Sequence, residues 1–162
     1  MVSVPAYSPP LDAVTTALLD FFRQSGRTIH DAVYKGDPSS PAFPYGILYS
    51  LPGGTADPFP DLDADYTAVT AVWQVTAVSK LRNQAERTAR VFRDLLLART
   101  RDHPDQSYGN ASGWRYELPM PSGWQCVDRA PDPMPAGVVR TGDTPNAIFT
   151  APFKFALTLA PA

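Results

Sequence analysis

The chain has 162 residues, among them 18 prolines and 10 glycines, with a net charge of −2 and one cysteine. That length suits one domain able to bury a core without metals, and a single cysteine, Cys126, excludes an internal disulfide. Near-neutral charge excludes a global electrostatic pull toward nucleic acid or anionic lipid, and no run approaches the ~18 to 20 apolar residues of a membrane span.

At the N-terminus, MVSVPAYSPP carries neither a basic n-region nor an apolar h-region, which predicts a soluble chain made in a reducing cytoplasm. Pro9 and Pro10 lead into LDAVTTALLDFFRQSG, where Leu11, Val14, Leu18, Phe21 and Phe22 recur at helical spacing and Gly26 stands where a C′ glycine belongs. This predicts a first helix. Strands are predicted over 28–34, ahead of the turn-rich KGDPSSP, and over 45–51, closed by Pro52, Gly53 and Gly54, with Tyr45, Ile47, Tyr49 and Leu51 on one face.

The strongest alternation runs over 67–78, where Val69, Ala71, Trp73, Val75 and Ala77 interleave with Thr70, Gln74 and Thr76. One face of that strand should be buried and the other partly wet. After Ser79 the period lengthens: Leu81, Ala85, Ala89, Phe92 and Leu96 define an amphipathic helix to about Arg101, with arginines on its far side. A helix following a strand so closely can fold back over it, so Trp73 and Phe92 are expected to lie buried between the sheet and this second helix.

Turn signals dominate 102–146. Two similar pieces there, SGWRYEL and SGWQCVD, suggest a two-stranded arm. In the last segment, 147–159, Phe149, Phe153, Phe155, Leu157 and Leu159 point to one face, so it should join the sheet with Pro152 at an edge or bulge. The chain thus reads as a single α+β domain over 1–162. It is expected to have a mixed or antiparallel β-sheet, two main helices packed on one face, and a long loop or β-arm over 102–146.

Charge is segregated along the chain. Asp57, Asp61, Asp63 and Asp65 crowd one loop, and Lys80, Arg82, Arg87, Arg90, Arg93, Arg99 and Arg101 crowd the segment after it. Either these are two solvated surfaces or they are complementary surfaces that meet between neighbouring copies; an acidic loop could equally line a channel. Little else carries chemistry. His30 and His103 sit in no recognisable catalytic context, and GNASG at 109–113 has its serine one place too late for a nucleophile elbow. Cys126, beside Trp124 and Val127, reads as a small core residue. A calcium loop opening at Asp61 fails at Tyr66, where glycine is needed, and at Val72, where a bidentate glutamate is needed. The HPD tripeptide at 103–105 lacks flanking helices, and no phosphate-binding glycine loop occurs. No catalytic residue, metal or cofactor is therefore expected. A small enzyme or a nucleic-acid-binding module remains a remote alternative.

The order of parts says more than any motif. A helix is followed by PYGILYSLPGG, an acidic proline-containing loop, the long strand TAVTAVWQVTAVSK and the immediate helix LRNQAERTARVFRDLLLAR. Over Leu11 to Arg101 this resembles the tail terminator, or tail completion, proteins of long-tailed bacteriophages. The C-terminal third is longer and more irregular than a minimal version of that fold needs, which leaves room for another neck or head-closure connector or a tail tube subunit. The resemblance implies a non-catalytic virion subunit, assembled in the host bacterial cytoplasm and resident in the tail or neck. Six copies would form a ring on the last tube ring, stop tube growth and present a surface to the head connector, with DNA passing through unbound. A closed ring needs two different complementary faces per subunit. Asp57, Asp61, Asp63, Asp65, Arg87, Arg90 and Arg93 are the candidate boundary residues.

Overall fold

Two helices cover one face of a mixed six-stranded sheet in the computed structural model, which describes residues 9–56, 68–99, 113–132, 137–143 and 145–162. Along the chain run α1 (Leu11–Gln24), β1 (Ile29–Asp31), β2 (Tyr45–Ala56), β3 (Val69–Ser79), α2 (Arg82–Leu97), β4 (Trp124–Pro131), β5 (Val139–Thr141) and β6 (Ile148–Pro161). The order across the sheet is β1-β2-β3-β6-β4, with β5 also paired to β6. Only β1 and β2 are parallel. This is the α+β architecture that the alternating and helical periods predict.

Helix α1 begins after the two prolines and ends where its backbone turns left-handed at Gly26, φ 75°. Gly26 N–H donates to the Arg23 carbonyl and Arg27 N–H to the Phe22 carbonyl, a Schellman closure that satisfies two otherwise orphaned carbonyls. Strand β1 is shorter than the predicted 28–34, because Ala32 adopts φ 58° and leaves the extended region. Strand β2 is longer than predicted. Pro52 and Gly53 fall in a register shift between Leu51 and Gly54, so the missing proline donor sits in a bulge and the strand continues to Ala56.

Register decides which side of each strand meets the helices. Gly46 and Leu48 pair with Ala77 and Val75, and Phe155, Phe153 and Ala151 pair with Trp73, Val75 and Ala77, so these residues share the helix-covered face. Trp73, Val75, Ala77, Phe155, Leu157 and Leu159 are fully buried there. On the opposite face stand Tyr45, Ile47, Tyr49 and Leu51 with a polar ladder, in which Thr70 bonds Thr158 at 2.9 Å and Gln74 Nε2 donates to Thr76 Oγ1 at 3.0 Å.

Trp73 and Phe92 are both buried, under different helices. The Trp73 indole N–H donates to Thr15 Oγ1 of α1 at 3.0 Å, while the Phe92 ring of α2 meets Phe22 of α1 edge-on at 5.1 Å. The core is therefore built where both helices converge on the sheet. Further along α2, Ala85 and Ala89 approach Ala77 and Ala151 closely, as their small size allows. Leu81, placed by its spacing on the apolar stripe, is instead the N-cap and 59% exposed. Helix α2 stops at Leu97, short of Arg101, because Ala98 turns extended and Arg99 bridges to Trp114.

The C-terminal third contains strand, as expected, but its two SGW pieces do not pair with each other. Trp124–Pro131, which holds most of the second SGW piece, pairs with β6 and not with the first piece, whose Trp114 bridges to Arg99. Proline 152 lies between Thr150, the end of the β5 pairing, and Phe155, the start of the β4 pairing. At that point, among the described residues, β6 pairs only with β3, which tolerates a residue without an N–H.

Candidate functional site

The inner face of α2 is fixed by Ala85, Phe92 and Leu96, and helical geometry at roughly 100° per residue then dictates where its charges go. Arg93, Glu86 and Arg90 fall on the flank that looks toward β6, and Arg87 lies further round on the outer side. All four are exposed. Arg82 ties Glu86 at 3.2 Å, while Arg87, Arg90 and Arg93 form no ion pair among the described residues. The three arginines singled out from sequence thus divide: Arg90 and Arg93 share one site and Arg87 stands apart from it.

That site is a groove of about 280 Å³ between α2 and the start of β6. Its floor is apolar, made by Ala89, Val138, Ala151 and Phe153, and Arg90 and Arg93 stand at its side. Among the described residues β6 pairs near Pro152 with β3 alone, and Phe153 and Val138 there are half-buried. Asp57, Asp61, Asp63 and Asp65 lie outside the described residues. Their flanking strand ends, Ala56 and Val69, pair with each other, and Val69 pairs with Leu159 at the far end of β6 from the groove.

A second polar cluster was not foreseen. Arg129 of β4 is 6% exposed, donates from Nη1 to the Leu96 carbonyl at 3.1 Å, and stacks 4.9 Å from the Trp114 ring centre. On the same ring lies Arg99, at 3.5 Å. Arg129 thereby caps the negative end of the α2 dipole, which stands in for a counter-ion; its Nε has no hydrogen-bond partner. Burial lowers the Arg129 pKa from its ordinary value, and burial pushes the Cys126 thiol up, against the opposing pull of neighbouring Arg129. Cys126 is accordingly a protonated thiol at neutral pH, poorly suited to attack.

Sequence alternation hides Arg129. Counting inward positions from Cys126, which pairs with Leu159, would turn Asp128 inward and Arg129 outward. A register shift between Cys126 and Asp128 inserts Val127 as an extra residue, so Asp128 pairs with Thr158 and Arg129 with the buried Leu157. Val127 itself is 50% exposed.

His30 lies in β1, packed edge-on against Tyr34 at 4.8 Å and Tyr45 at 5.5 Å. His103 and the HPD tripeptide fall outside the described residues. No cluster of three metal-ligating side chains occurs among the described residues, and no helix there is long and apolar enough to cross a membrane. No protein-family model matches the chain, and no curated protein matches its sequence.

Proposed function

We propose that this chain is a structural virion subunit, a tail terminator of a long-tailed bacteriophage. Copies, six in number, close into a ring on the last ring of tube subunits, end tube growth and offer their opposite surface to the head connector. DNA passes through the ring without specific binding, and the subunit needs no cofactor. Assembly takes place in the host cytoplasm and the protein resides in the neck of the virion.

The observation that carries this reading is the order of parts and the way they pack: a helix, a pair of strands, a long central strand and an immediate return helix, with both helices on one face of the sheet. The same order, read from the residues, is the basis of the resemblance to tail terminators.

Light scattering of the purified protein across a concentration series, with negative-stain images of the same sample, tests the reading. Closed rings of about six copies are expected. Long tubes would make it a tube subunit, and a monomer that also fails to cap preformed tail tubes would overturn it.

A further inference from the structure

We infer that the groove between α2 and β6 is the seat for the acidic segment 57–65, DPFPDLDAD, of a second copy of this chain. The inference rests on the ring reading for its biological setting, and on charge, chemistry and register for its substance. The groove offers an apolar floor with Phe153 and Val138, two arginines that form no ion pair among the described residues, and one carboxylate, Glu86, which Arg82 neutralises. Segment 57–65 offers the complement: four carboxylates around Phe59 and Leu62. An aromatic anchor on an apolar floor with charge-paired flanks gives both affinity and register.

Topology decides that the contact is between copies. Segment 57–68 is anchored at Ala56 and Val69, whereas the groove lies beside Ala151 and Phe153, which pair with Ala77 and Val75. From Val69 to Val75 or Ala77 the strand climbs roughly 20 to 26 Å. The middle of the segment reaches about 20 Å, the near edge of that span, but Phe59, three residues beyond Ala56, reaches only about 10 Å at full extension. A chain cannot seat Phe59 on the floor of its own groove. Because donor segment and receiving groove sit at opposite ends of the sheet, the contact is head-to-tail, the kind that generates a ring when the rotation closes.

The test uses full-length protein and a fluorescein-labelled peptide DPFPDLDAD. Saturable binding by anisotropy is expected, weakened at least about tenfold by R90E/R93E and by Phe59→Ser in the peptide, and nearly unchanged by R87E, which reverses a charge outside the groove. Full-length R90E/R93E and D57N/F59S/D61N, the second of which removes the segment's anchor and charge without reversing it, should each be monomeric alone, since each lacks one half of the contact. Mixed, they should form dimers and stop there, the intact segment of one filling the intact groove of the other. Circular dichroism checks that these surface variants fold. No peptide binding up to about 1 mM, or binding indifferent to R90E/R93E, overturns the inference. If the wild type forms rings that R90E/R93E leaves intact, the ring reading stands and the groove contact falls. Were the wild type monomeric while the peptide binds as described, the contact would stand and the hexamer would fall.

Discussion

Phe92 is 1% exposed, touches Phe22 edge-on, and lies over Gly46, where a Cβ would sit 2.8 Å from its ring. Two changes at this one spot should destabilise for opposite reasons. Phe92→Ala leaves a cavity and is expected to cost about 3–5 kcal/mol in denaturant unfolding. Gly46→Ala overfills the same space and should cost about 1–3 kcal/mol. At His30, burial and the charges of Arg23 and Lys35 lower the pKa below its usual value near 6.5. The unfolded chain therefore binds this proton first. Stability from His30 is complete above about pH 6.5 and is lost as pH falls through the lowered folded pKa, a decline that His30→Gln should remove. Unfolding of both proteins between pH 7.5 and 5 would show the difference.

Among the elements, α1 was legible almost to its ends. The period of Val14, Leu18, Phe21 and Phe22 set its buried face and Gly26 set its stop. Gly26→Ala forces a Cβ into the left-handed region and should cost about 1 kcal/mol, with no clash to blame because the space around it is open. Strand β4 was not legible in the same way. Its inward and outward sets are exchanged at Val127 by a bulge that leaves no mark in composition, and only that exchange brings Arg129 under Trp114 and onto the end of α2. Deleting Val127 removes the extra residue and leaves Cys126 inward, Asp128 outward and Arg129 inward, so it should be tolerated, whereas Arg129→Ala, which uncaps the Leu96 carbonyl and empties the space beneath Trp114, should cost about 1–3 kcal/mol in denaturant unfolding.

In the whole molecule, one side of the sheet is covered by the two helices, and the other combines Tyr45, Ile47, Tyr49 and Leu51 with the ladder of Thr70, Thr158, Gln74 and Thr76. If assembly runs through Arg90 and Arg93, it should weaken as salt rises, because exposed ion pairs are screened over about 8–10 Å at physiological strength. Light scattering between 50 mM and 500 mM salt should show fewer assembled copies at the higher concentration, with the monomer fold unchanged by circular dichroism.

The sequence alone determined what depends on local period and backbone freedom: α1, the central strand with its wet and dry faces, the return helix, and the alternation that carries β6 into the core. These follow from side-chain spacing of 3.6 or 2 and from glycine and proline, which act on their own neighbours. The tertiary structure decided what depends on pairing across the chain. Strand β4 joined β6 instead of the first SGW piece, β2 ran on through Pro52, and Arg90 and Arg93 came to border a groove whose floor belongs to β6. Register and bulges are fixed by partners far away in sequence, so no local pattern could announce them.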